Sequence, residues 1–243
     1  MMLELFPEGF EEVDVEGGLE LAAYTTAGGE ERVWQVFGPG RAEAVEAGWT
    51  EAWKRFHCPL RVGRLWIGPP WEEPDEGALA VVIDPGRAFG TGAHPTTRLC
   101  LELLVGAERT SVLDLGCGSG VLAIAAARLG FGPVVALDLD EAAVEAAAGN
   151  ARANGVEIVV RKADVLVDPL PEAGLAFANI ALVHVEELAP RIRARRLVTS
   201  GYLAAEDPSP AGWRHVSRRA ADGWAADVFE RGDGGHRRPG ALR

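Results

Sequence analysis

The sequence has little cysteine, and its three residues, Cys58, Cys100 and Cys117, form no CxxC pair. An odd, scattered count argues against a disulfide framework and for a reducing, cytoplasmic setting. Nor is there a surplus of cations: the formal net charge is -12, so phosphate-driven attraction to nucleic acid is not expected. No apolar run is long enough to span a membrane. The longest, Val121 to Leu137, is broken by Arg128, Gly130, Gly132 and Pro133 and reads as helix, turn and strand. The acidic N-terminus has no signal-like apolar stretch. The histidines, His57, His94, His184, His215 and His236, are scattered, and His57-Cys58 lacks the paired spacing that zinc wants, so no metal is expected. No internal repeat is visible, and neither a G-x-S-x-G elbow nor a Walker loop occurs, which excludes the chemistries those motifs serve.

What is there is the composition of an ordinary globular protein, 48% hydrophobic and 25% charged. The length of 243 residues suits one ordinary domain with a small appendage. The stretch from Leu3 to about Phe37 mixes short runs such as Leu19 to Tyr24 and Arg32 to Phe37 with Gly-rich turns, a small strand-rich unit. Between Ala42 and Phe56, Val45, Trp49, Trp53 and Phe56 recur at helical spacing, and this stripe reads as a packing helix rather than a ligand-binding aromatic box. Ala78 to Asp84 predicts a buried strand, and a helix begins near Pro95 after a glycine-rich loop.

Beyond that point the alternation is regular. Strands are predicted at Ser111 to Leu115, Val134 to Asp138, Glu157 to Arg161 and Leu175 to Asn179, and helices at Val121 to Leu129 and Glu141 to Asn154. Gly155 supplies the second helix's stop. Strands alternating with helices predict an α/β fold with a mostly parallel, Rossmann-like sheet, whose ligand sits at the strands' carboxyl ends.

Three of those ends carry the chemistry. Asp114 precedes the loop Gly116-Cys117-Gly118-Ser119-Gly120, where glycines allow a sharp turn and close approach of a ligand to the main chain. The dinucleotide fingerprint is not met, because Val121 stands where it wants Gly or Ala. Asp114 would repel a pyrophosphate but accept hydrogen bonds from an amine-bearing, cationic ligand. S-adenosylmethionine has an ammonium and a sulfonium and no phosphate, which makes it the expected cofactor. Asp138 ends the next strand about 20 residues after the loop, where a carboxylate meets ribose hydroxyls. Asp140 reads as a helix cap. Asp164 suits either an adenine amino group or a solvated turn. Asn179 could orient a cofactor or an incoming amine, or could cap a turn. Cys117 reads as a small buried residue and His184 as part of a surface helix face.

With these residues in hand, the chain resembles the PrmA family, methyltransferases that modify protein number eleven of the large ribosomal subunit. The resemblance is carried by Asp84 to Thr97, which includes Phe89-Gly90-Thr91-Gly92-Ala93-His94-Pro95-Thr96-Thr97, by Leu113 to Ala126, by Ala136 to Asp140, by Ala178-Asn179-Ile180, and by Trp49 to Phe56. It runs over roughly residues 49 to 205; the tail from Pro208 onward matches poorly, and a Pro-Gly-Gly turn after Asn179 is missing.

The resemblance implies a class I S-adenosylmethionine-dependent methyltransferase domain at 60–243, a linker helix at 49–59 and a small N-terminal α+β substrate-recognition domain at 1–48 that starts at what resembles the family's second element. It also implies methyl transfer to amino groups, on lysines and at an N-terminus, of a large-subunit ribosomal protein, by a cytoplasmic monomer. Together the two lines of reading give Thr97, Asp114, Gly116, Gly118, Gly120, Asp138, Asp164 and Asn179 as cofactor-binding residues. Thr97 comes from the resemblance alone. Asn179 and Phe89 are the expected catalytic residues, the one orienting the amine and the other, or a neighbouring aromatic, packing at the reacting end. Rival readings are a methyltransferase of the same fold acting on a small molecule or another protein, and a decayed homologue, motivated by the irregular C-terminal part, that binds cofactor without turnover. An NAD-dependent oxidoreductase is disfavoured by Val121 and Asp114.

Overall fold

The computed structural model describes residues 11–15, 18–22, 37–38, 58–84 and 94–232. Phe89, the helix expected over Ala42 to Phe56 and most of the linker 49–59 lie outside them; Cys58 and Pro59, its last residues, are not helical. The contact pattern divides the chain into two units, Met1–Lys54 and Arg55–Arg243. In the first, β1 (Glu11–Val15) and β2 (Gly18–Ala22) pair antiparallel, from Val15 opposite Gly18 to Glu11 opposite Ala22.

The second unit opens with a three-stranded sheet: β3 (Leu60–Val62), β4 (Leu65–Gly68) and β5 (Leu79–Val82), the last lying within the predicted 78–84 strand. There follow α1 (Pro95–Val105), β6 (Val112–Leu115), α2 (Val121–Arg128), β7 (Val134–Asp138), α3 (Glu141–Ala153), β8 (Val159–Lys162), β9 (Ala173–Asn179), α4 (Leu182–Leu188), β10 (Ala194–Leu203), β11 (Trp213–Ala221) and β12 (Trp224–Arg231). The seven-stranded sheet has the order β11-β12-β10-β9-β6-β7-β8. Its five strands from β10 to β8 run parallel, and β12 and β11 add an antiparallel edge.

Both faces of the parallel part are covered, as a parallel sheet requires. Along β9, Leu175 and Phe177 join one core with α1, α2 and the small sheet, while Ala176 and Ala178 join the other with α4. The same period of two puts Val112 in the first core and Leu113 and Leu115 in the second. Phe177, Leu113 and Leu115 are fully buried, and each contributes about 2–3 kcal/mol relative to an exposed side chain.

The chain winds from β6 outward to β7 and β8, then returns to place β9 on the other side of β6. The strand order therefore reverses between β6 and β9, and the crevice outside their carboxyl ends is where such sheets take ligands. The described part of the tail read as irregular, up to residue 232, is regular: β11 and β12 pair along nearly their full length, with one register shift between His215 and Ser217. Among the described residues no helix is long and apolar enough to cross a membrane.

Candidate functional site

β6 ends in Leu115 and enters a tight loop. Gly116, Gly118 and Gly120 all have positive φ, of 75°, 51° and 81°, a region that strains any residue with a Cβ. Space is also short: a Cβ on Gly116 would stand 2.6 Å from the Ile180 side chain, and one on Gly120 would stand 2.9 Å from the Cβ of Ala147. The first approach closes the crevice wall between β6 and β9, and the second seats the loop on α3.

Asp138, at the end of β7, organises this loop from the side. Its Oδ2 accepts the Gly118 N–H at 2.8 Å and its Oδ1 accepts the Asp140 N–H at 3.0 Å. Each oxygen keeps a second lone pair, so the fixed carboxylate can still receive a vicinal pair of hydroxyls. Asp140 caps α3 by accepting from the Ala142 N–H at 3.0 Å.

Asp114 is 1% exposed, on the α1 and α2 side of β6. Burial raises its pKa to about 7, against the help of the Ala123 N–H in the first turn of α2 and with some added push from Asp138. Its Oδ2 is buried without a hydrogen-bond partner. A cationic donor is what that oxygen lacks. Burial likewise pushes the Cys117 thiol up, so Cys117 sits in the loop as a neutral, packed side chain.

Across the crevice, Asn179 ends β9, and its Nδ2 donates to Thr97 Oγ1 at 3.4 Å. Thr97 is 2% exposed in the first turn of α1. That turn is capped by His94, whose ring accepts from the Thr96 N–H at 3.4 Å and meets the Thr96 hydroxyl at 2.8 Å. The His94 ring also stands edge-on to Trp224 of β12, centroids 4.8 Å apart. With Nδ2 directed at Thr97, the Asn179 amide presents Oδ1 as its acceptor.

The structure therefore brings Asp114, Gly116, Gly118, Gly120, Asp138, Thr97 and Asn179 to one end of the sheet. Asp164 follows β8, but its Oδ1 accepts the Leu166 N–H at 2.9 Å and its own N–H donates to Asp168, the turn role already weighed for it. Sequence reasoning missed Asn150. Buried in α3, it donates to the Ser119 carbonyl of the glycine loop at 3.0 Å and accepts the Asp84 N–H at 3.0 Å. Asn154, one turn on, takes both the N–H and the carbonyl of Val82. The available signal was two asparagines four apart in the stripe Ala143, Ala147, Asn150, Ala151, Asn154 of an otherwise alanine-lined helix face.

The sequence model of the family described as ribosomal protein L11 methyltransferase (PrmA) matches residues 19–226. That is wider at both ends than the stretch carrying the resemblance in sequence, and it reaches into β12. A ribosomal protein L11 methyltransferase of Symbiobacterium thermophilum is 44% identical over 77% of this chain and 67% of its own length. One of Dechloromonas aromatica is 48% identical over 65% of this chain and 56% of its own length. The chain thus spans about half to two thirds of the length of the curated relatives it matches. Among solved structures, a ribosomal protein L11 methylase of Lactobacillus delbrueckii subsp. bulgaricus superposes with a TM-score of 0.62 at 29% identity, over 71% of this chain and 98% of that one. The chain belongs to the ribosomal protein L11 methyltransferase (PrmA) family.

Proposed function

We propose that the chain is an S-adenosylmethionine-dependent methyltransferase acting on amino groups of the large-subunit ribosomal protein that names its family. The observation that carries this is the convergence, at the reversal point of a parallel sheet, of a glycine loop, an anchored ribose-type acid and an amide with a directed acceptor. S-adenosylmethionine supplies an activated methyl on a sulfonium. The residues present fit it. Asp138 would hold the ribose hydroxyls, and the glycine backbone admits close approach. The unpartnered Asp114 oxygen calls for the cationic amino-acid end, and the chemistry of this donor set is wrong for a phosphate ligand.

For the acceptor amine, Asn179 Oδ1 would take an N–H and so turn the nitrogen lone pair, while Thr97 keeps the amide from rotating. Such alignment of reacting groups can account for several kcal/mol of barrier lowering, out of a ceiling of roughly 7–11 kcal/mol. The amine must arrive neutral, and exclusion of water around it favours loss of its proton. In this reading residues 1–48 capture the protein substrate. A ribosomal substrate goes with a cytoplasmic enzyme.

Transfer of labelled methyl from S-adenosylmethionine to purified ribosomal proteins tests this, with Asp138→Ala as control. Label on the large-subunit protein, lost in the variant, is expected. Calorimetric cofactor binding without label would leave the cofactor assignment and remove the substrate.

A further inference from the structure

The β10 strand is interrupted beside Asn179. Its parallel ladder with β9 runs from Ala194 opposite Ala173 to Ser200 opposite Asn179 and stops there. On the other side its register with β12 shifts between Ser200 and Tyr202, so Gly201 is the extra residue of a bulge. Bulges bend the strand that carries them, and next to a site they re-aim what lies against them.

What lies against this one is Ile180, the residue after Asn179. Gly201 has a φ of 100°, and a Cβ there would stand 2.4 Å from the Ile180 carbonyl oxygen and 2.9 Å from the Ile180 nitrogen. Only a glycine lets the two backbones come so close. On the opposite flank the Ile180 Cγ2 methyl takes the room that a side chain at Gly116 would need, 2.6 Å from where its Cβ would be. Ile180 is thus wedged between two glycines, by its backbone on the β10 side and by its side chain on the β6 side.

The bulge is held from both ends. Ser200 is buried and its Oγ donates to the Ala225 carbonyl at 2.6 Å. Tyr202 is buried too; its hydroxyl donates to Asp227 Oδ2 at 2.9 Å and meets the Thr199 hydroxyl at 2.6 Å. Ser200 also shares a side-chain hydrogen bond with Cys100, one turn along α1 from Thr97. A satisfied buried network of this kind rigidifies what it holds, and here it fixes the residues on either side of Gly201. The Thr97 contact to the Asn179 amide is long, at 3.4 Å, and directs that amide only if the main chain at Asn179 is fixed.

We propose that Ile180 is a positioning residue for methyl transfer: wedged between Gly116 and the Gly201 bulge, it fixes the main chain from which Asn179 presents its amide to the acceptor amine. This rests on the role given to Asn179 above.

The test is steady-state transfer of labelled methyl to the ribosomal protein, with calorimetry of S-adenosylmethionine as the check on folding and on the cofactor site. Ile180→Ala, which removes Cγ2, should lower kcat by about tenfold while KM and cofactor affinity move by less than about threefold. Ile180→Val keeps that methyl and should stay within about twofold of the wild type. Because Ile180 acts through Asn179, adding Ile180→Ala to Asn179→Ala should cost less than about twofold more. Additive losses, or a cofactor affinity that falls as far as kcat, would overturn the proposal. A loss of turnover in Asn179→Ala without one in Ile180→Ala would overturn it alone, whereas normal turnover by Asn179→Ala would overturn it together with the reading of Asn179.

Discussion

A carboxyl group that burial holds near neutrality is the chemical feature most open to measurement. Asp114 titrates at about 7 in the folded chain against 3.8 for the free side chain. Because the folded value is the higher, folding favours the protonated form. Its contribution is fully present below about pH 4 and is lost as pH rises through 7, after which it is flat. The loss should be on the order of 4 kcal/mol. Urea unfolding of the ligand-free chain between pH 4 and 8.5 should therefore show stability falling relative to Asp114→Asn, and parallel curves would refute the shift. The Thr97 and Asn179 pair is tested by turnover. Asn179→Ala should lower kcat by about tenfold or more, the scale of one misplaced polar contact at a reacting centre. Thr97→Val should give a smaller loss in the same parameter, with cofactor affinity moving less than kcat. Normal turnover by Asn179→Ala removes its proposed role.

At the scale of elements, the strands and helices from β6 to α3 were legible because both strand faces and the helix stripes are apolar at clean periods, and caps such as Asp140 and Gly155 mark their ends. β11 and β12 were not. β11 is an edge strand with most residues exposed and four arginine or histidine residues in nine, so no period shows. β12 carries a charge in its core-facing stretch. Asp227 is fully buried, and only tertiary partners 25, 12 and 9 residues away make that tolerable: Tyr202 at 2.9 Å, His215 at 2.7 Å and Arg218 through Nε and Nη2 at 2.9 Å. Asp227→Ala leaves Arg218 facing a buried void, so a loss of about 3–5 kcal/mol is expected in urea unfolding. A loss within experimental error would mean that the hairpin is held by its ladder alone. The helix α3 makes the complementary case. Asn150→Ala deletes an acceptor for Asp84 and a donor to Ser119, which should cost about 2 kcal/mol of stability. Because Ser119 belongs to the glycine loop, cofactor affinity should fall as well, a result that cavity formation elsewhere in α3 would not give.

For the whole molecule, the position of the site follows from strand order, and strand order could not be read along the chain. The sequence marks Asp114, Asp138 and Asn179 as strand ends, yet nothing local says that β9 returns beside β6, or that Thr97 meets Asn179 across 82 residues. The loop at Gly116 and the amide at Asn179 become one site only because the chain winds outward through β7 and β8 first. All of the described residues proposed to hold the cofactor belong to the unit Arg55–Arg243, whereas Met1–Lys54 forms contacts of its own. If the smaller unit serves substrate capture, the two activities should separate. A chain beginning at Arg55 should bind S-adenosylmethionine with an affinity within about threefold of the full chain, since less than about 0.7 kcal/mol of binding energy is expected to be lost. It should methylate the ribosomal protein at a kcat/KM lower by about tenfold or more, through KM rather than kcat, because uniform binding of the substrate is what has been removed. Equal transfer by the shortened chain would place substrate recognition in the methyltransferase domain itself, and a fall in kcat at constant KM would mean that the first unit acts on the reacting groups rather than on capture.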